Sequence, residues 1–195
     1  MPPNLLKNKK FNSIITEFQK KHKKELLDII LFGSSIKGKD NPADTDILLL
    51  FKDKESIDVS YELRKKLEGI GLKPEITTKK YESLFDPTFK AREAILGEGY
   101  SLTRKGFISE GFGYSSMIAI QYELKGASQV KRMQLQYALY GRDKKSGITK
   151  ELKLKKFSNT VFLCPIENSE KAKEFFESWK IKFEMFPILI PQRMT

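Results

Sequence analysis

Asp44 and Asp46 stand two residues apart at the head of the apolar run Ile47-Leu48-Leu49-Leu50-Phe51. Alternate side chains of an extended strand project to one face, so this spacing predicts two carboxylates side by side. Carboxylates that close repel unless a cation stands between them. Oxygen-only ligands select a hard ion such as Mg²⁺ or Mn²⁺, and the natural company of that ion is a nucleoside triphosphate. Upstream, Gly33-Ser34 closes another apolar strand, and a short basic turn separates the two.

These residues also carry a resemblance. An apolar strand, Gly33-Ser34, a loop, then Asp44-Thr45-Asp46 and Ile47-Leu48-Leu49 resemble the signature of the DNA polymerase beta-type nucleotidyltransferase superfamily. The short archaeal and bacterial minimal members are especially similar. The segment 91–102 resembles the helix and strand that close these small domains. The likeness spans about residues 1–103 and does not extend to the second half.

The resemblance implies transfer of a nucleoside monophosphate from a triphosphate, with ATP the expected nucleotide, to an acceptor hydroxyl. It implies that Asp44 and Asp46 bind two Mg²⁺ (or Mn²⁺) ions, which clamp attacking and leaving oxygens from about 3.5–4 Å apart. A third carboxylate is expected on a later strand, where the candidate is Glu75; the family usually has Asp there. Glu75 would hold the catalytic metal and accept the acceptor's proton. Gly33 would let backbone approach the triphosphate, and Ser34 with the following turn would donate to its phosphates. The family commonly places Arg after Gly-Ser; here it is Ser35, which leaves Lys37 to supply positive charge.

The positioning elements follow from periodicity. Phe11, Ile14, Ile15, Phe18 and Leu26 lie on one face of a helix over 11–27. Strands are expected at 28–34 and 44–51, the second apolar on both faces and so interior to a covered sheet. A helix at 56–70, a strand at 73–78 bearing Glu75, a helical turn at 81–85 and a helix at 88–96 capped by Thr88 complete the first unit. His22, without a Cys or His partner nearby, reads as structural. A Gly-rich linker is expected at 104–113. Beyond it, 114–195 reads as a second small α/β unit: strand 115–124, helices 128–140 and 146–152, strand 160–165, helix 168–179 capped by Asn168 or Ser169, and strand 180–190. Phe175, Phe176 and Trp179 are expected in its core. The fold class is therefore α/β (α+β), a small mixed sheet with flanking helices and a second small domain.

Composition limits the partners. The 195 residues carry a formal net charge of +11. Residues 1–103 hold 19 Lys and Arg against 16 Asp and Glu, a net of +3, whereas 104–195 hold 17 against 9, a net of +8. The excess gathers around 125–156, with Lys131, Arg132, Arg142, Lys144 and Lys145 interleaved with Tyr137 and Tyr140. That pattern suits a nucleic-acid partner, and a solvated Lys-rich surface equally. No apolar run approaches the roughly 20 residues that cross a bilayer, and no signal-peptide core opens the chain, so no membrane partner and a cytoplasmic location are expected. The single Cys164 lies in an apolar run and is expected to be buried and inert.

The reading is an Mg²⁺-dependent nucleotidyltransferase whose acceptor is a nucleic acid, a protein or a small molecule. The alternative is a non-catalytic nucleic-acid-binding protein, or an antitoxin-like regulator with a protein partner, on the same fold. Neither a P-loop nor Cys/His zinc spacing nor a Ser/His/Asp set competes.

Overall fold

The computed structural model describes residues 4–38, 44–142 and 146–194. Part of the basic turn before Asp44, and Lys144 and Lys145 of the basic segment, lie outside the described residues.

Helix α1 (Lys9–Lys21) starts where the Asn8 side chain accepts from the amides of Lys10 and Phe11, and it buries Phe11, Ile15 and Phe18. It stops short of the expected 11–27, because Leu26 already belongs to strand β1 (Leu26–Phe32). The His22 ring at the helix end is buried and bridged, Nδ1 to Glu25 at 2.5 Å and Nε2 to Glu62 at 3.1 Å, which fits its structural reading. A single 3-10 turn (Gly33–Ile36) follows β1, then β2 (Thr45–Phe51), α2 (Ile57–Glu68) and β3 (Pro74–Lys80). Ser56 caps α2 by accepting from the Val59 amide.

Helix α3 spans Arg92–Glu98, not 88–96. Thr88 is no cap: Asp86 captures both its amide and its hydroxyl at 2.8 Å, closing a local turn that competes with helix. Strands β4 (Tyr100–Ser101) and β5 (Gly106–Phe107) complete a five-stranded mixed sheet of order β3-β2-β1-β4-β5. β1 runs antiparallel to β2 and β4, and β2 parallel to β3. As its pattern requires, β2 is interior: Ile47, Leu49 and Phe51 face one core, and Leu48 and Leu50 the other.

The segment 104–113, expected as a linker, holds β5 and a 3-10 turn (Ile108–Phe112) that buries Ile108 and Ser109. Then come β6 (Tyr114–Glu123), α4 (Gln129–Tyr140), α5 (Ile148–Glu151), β7 (Lys155–Lys156), β8 (Val161–Pro165), α6 (Ser169–Ser178) and β9 (Lys182–Pro191). These strands form a second sheet of order β7-β8-β6-β9, antiparallel throughout. One apolar cluster joins the two sheets, from Phe11, Leu31, Ile47 and Phe51 to Ile118, Ile120, Phe162 and Phe176. Phe175 and Trp179 pack against it, half-buried, so the α6 aromatics belong to the core. Burial pushes the Cys164 thiol up to about 12.

Candidate active site

The site forms where β1 ends and β2 begins. Asp46 pairs laterally with Phe32 of β1 and with Glu75 of β3. Register partners on neighbouring strands share a face, so Asp46 and Glu75 point to the side of the sheet that carries Leu48 and Leu50. Asp44 is exposed just before β2, one pleat from Asp46, and its carbonyl accepts from the Ser35 hydroxyl at 3.2 Å. Glu75 is exposed on an edge strand, and Asp46 is half-buried between them.

The electrostatics follow from that placement. Burial, then the charge of Glu75, then that of Asp44, raise the Asp46 pKa above its ordinary 3.8. Both other acids therefore act on Asp46. Among the described residues, however, no three His, Cys, Asp or Glu side chains stand close enough to hold a metal ion as placed. The donor set fits a hard divalent cation: it offers only carboxylate oxygens, and it carries like-charge repulsion that a cation relieves. It is not a preformed three-acid shell.

Gly33 adopts φ +71°, in the left-handed region that favours glycine. A methyl group there would overlap Asp46 Oδ2 and lie 3.0 Å from Asp46 Cγ. The glycine thus lets the turn press against the acid. Ser34 is half-buried in the same 3-10 turn. Lys37, expected to supply phosphate charge, is committed elsewhere: its Nζ lies 2.9 Å from Oε2 of buried Glu98. The Lys37 carbonyl accepts from the Glu170 amide at 3.2 Å and the Ser169 hydroxyl at 3.5 Å, so the start of α6 is tied to the loop. Sequence reasoning missed Glu98. A buried acid between Gly97 and Gly99 at the end of α3 was the available signal, but its partner lies 61 residues away.

Residues 12–104 match the family model described as polymerase beta, nucleotidyltransferase. They are a polymerase beta-type nucleotidyltransferase domain. The acids, Gly33 and Ser34 all fall inside this domain, and β6 to β9 lie beyond it. No curated protein sequence matches the chain at a significant level. Among solved structures, a mutant of the MntA-HpeT toxin-antitoxin is similar at 16% identity and a TM-score of 0.38, over 65% of this chain and 91% of that one. A toxin-antitoxin with AMP-PNP is 19% identical over the same shares, with a TM-score of 0.38. A tri-AMPylated Shewanella oneidensis HEPN toxin in complex with MNT antitoxin is similar at 19% identity and a TM-score of 0.35, over 65% and 88%. Among the described residues no helix is long and apolar enough to cross a membrane.

Proposed function

We propose that the chain transfers a nucleoside monophosphate from a nucleoside triphosphate, ATP first among them, to an acceptor hydroxyl. The observation that carries the reading is the raised Asp46 carboxyl, crowded by Glu75 and Asp44 and pressed against the Gly33 turn. Asp44, Asp46 and, for one ion, Glu75 would hold Mg²⁺ or Mn²⁺, which when bound screens the charge of the phosphate oxygens. Gly33 gives the triphosphate access to backbone, and the Ser34 hydroxyl and the amides of the 3-10 turn donate to its terminal phosphates.

The acceptor oxygen attacks the α-phosphorus, a new P–O bond forms, and the bond to pyrophosphate breaks. Glu75, exposed beside Asp46, takes the acceptor's proton. The division of labour proposed places nucleotide handling in residues 1–103 and acceptor handling in 114–195, where 15 Lys and Arg against 8 Asp and Glu, a net of +7, favour an anionic partner such as nucleic acid.

Incubation with each labelled triphosphate and Mg²⁺ tests the reading, with oligonucleotide, protein and small-molecule acceptors in separate arms. Transfer that disappears in a folded Asp46→Ala variant supports it. Oligonucleotide binding without transfer in any arm would leave the non-catalytic alternative standing in its place.

A further inference from the structure

Helix α4 shows more apolar surface than the core uses. Leu135 and Leu139 are buried, yet Met133, Gln136, Tyr137 and Tyr140, spaced i, i+3, i+4 and i+7, line a cleft on another face. Met133 is 49% and Tyr137 46% exposed, so two large side chains stand in water where packing demands neither. Gly141, Arg142 and Lys156 close the cleft, which measures about 460 Å³. The Arg142 guanidinium stands 6.0 Å from the centre of the Tyr137 ring. Lys156 comes from β7, an edge strand of the second sheet.

The lining chemistry is selective. It combines a flat aromatic platform, two cations and one side-chain amide, and no Asp or Glu is among its described residues. An aromatic face accepts any nucleobase by stacking. The Gln136 amide both donates and accepts, as a base edge requires. Arg142 and Lys156 suit phosphate. Exposed Lys150 and Lys153 lie just before β7, and exposed Phe157 just after it. With exposed Glu151 among them, they add cations and an aromatic side chain to the segment that carries Lys156.

The Leu152 carbonyl accepts from Asn168 Nδ2 at 2.9 Å, and Gly38, at φ +86°, packs so closely on the Glu167 backbone that a methyl group would overlap its carbonyl. The basic stretch before β7 is thus linked, through the start of α6, to the loop that begins at Gly33.

We infer that the cleft between α4 and β7 binds single-stranded nucleic acid, stacking one base on Tyr137 with its phosphate on Arg142 and Lys156. The inference rests on the proposed transfer reaction only in naming that strand as the acceptor.

Fluorescence anisotropy on the full chain tests this, with a labelled single-stranded oligonucleotide, the same sequence as a duplex, and AMP as separate ligands. The expected result is a preference for the single strand. Tyr137→Ala should weaken it roughly 5- to 100-fold, with Tyr137→Phe near wild type. Lys156→Ala should reduce the salt slope by about 0.7, the value of one single-strand phosphate contact, while a charge-matched Lys9→Ala control should not lose the strand preference.

Equal loss in the control, duplex binding as tight as single-strand binding, or indifference to Tyr137→Ala would overturn the site. AMP binding as tight as the oligonucleotide would overturn the strand and leave a mononucleotide cleft. Asp46→Asn should abolish transfer and keep Tyr137-dependent strand binding, which separates the two readings. Strand binding through Tyr137 in a wild-type chain that transfers nothing sinks the transfer reaction alone, and wild-type transfer without Tyr137-dependent binding sinks the cleft alone.

Discussion

The Asp46 carboxylate occupies the space that any side chain on Gly33 would enter. Position 33 is therefore constrained twice, by its left-handed backbone at φ +71° and by the acid beside it. Gly33→Ala is expected to destabilise the fold by at least about 1–2 kcal/mol from the backbone term alone. It should also displace Asp46 and remove any thermal shift with Mg²⁺ and ATP. Urea denaturation and a ligand-shift assay measure the two effects. An alanine variant with wild-type stability and wild-type nucleotide response would show that the close approach has no consequence.

Asp46 itself should trade stability for function. Its folded pKa lies above the ordinary 3.8, so the native state binds its proton more tightly than the unfolded chain does. The favourable contribution is complete below pH 3.8 and is lost as pH rises through the folded value. Above that window the ionised group opposes folding. In EDTA at neutral pH, Asp46→Asn is expected to be more stable than wild type by up to about 1 kcal/mol after solvent screening, and the gain should shrink toward about pH 4. With Mg²⁺ and triphosphate the order should reverse, because ligand binding stabilises only the intact site. Calorimetry across pH, with and without Mg²⁺ and ATP, reads both signs. A variant less stable than wild type at neutral pH without cation would mean that burial and the charges of Glu75 and Asp44 do not raise the Asp46 pKa.

The parts of this site legible in the sequence are those set by short-range periodicity. Asp44 and Asp46 flank one pleat of a strand whose two apolar faces demand an interior position, and β2 takes it. The Gly-Ser turn and the acid on β3 are singled out by the family resemblance, not by periodicity. The losses are of two physical kinds. Two-residue strands such as β4, β5 and β7 are too short to carry a period, so the pairing that turns 104–113 into sheet and buried turn was invisible. Thr88 was misread because a cap and an Asx turn draw on the same residue types, and Asp86, two positions earlier, won the hydroxyl. The Lys37–Glu98 pair joins elements that only the tertiary fold brings together.

Cys164 gives a chemical test of the second sheet. It lies on β8, buried in the shared core, and its thiol is pushed up to about 12 by burial, with Glu167 adding to the shift. Thiolate is the reactive form, so a disulfide reagent at neutral pH should label no thiol in the native protein and one after denaturation. Native labelling at the rate of a free thiol would mean that β8 is not packed as described.

Lys37 decides how the loop works, and a double-mutant cycle with Glu98 separates its two candidate roles. Glu98 is buried, with Lys37 Nζ at 2.9 Å, whereas the Lys37 side chain is 30% exposed. Removing the cation alone strands a buried carboxylate, so Lys37→Met should cost about 1–3 kcal/mol. Removing both charges should restore most of that, because an apolar or neutral pair leaves nothing unpaired. If Lys37 only positions the loop, Lys37→Met and Glu98→Gln should weaken triphosphate binding by similar factors, and the double variant no further. If Lys37 also meets phosphate, Lys37→Met should weaken binding well beyond Glu98→Gln, and the double variant should stay weak despite its recovered stability. The ion pair and the two hydrogen bonds to the Lys37 carbonyl predict the first outcome. Urea melts with triphosphate titrations on all four proteins distinguish them, and stability losses that simply add would remove the coupling on which this account of the loop depends.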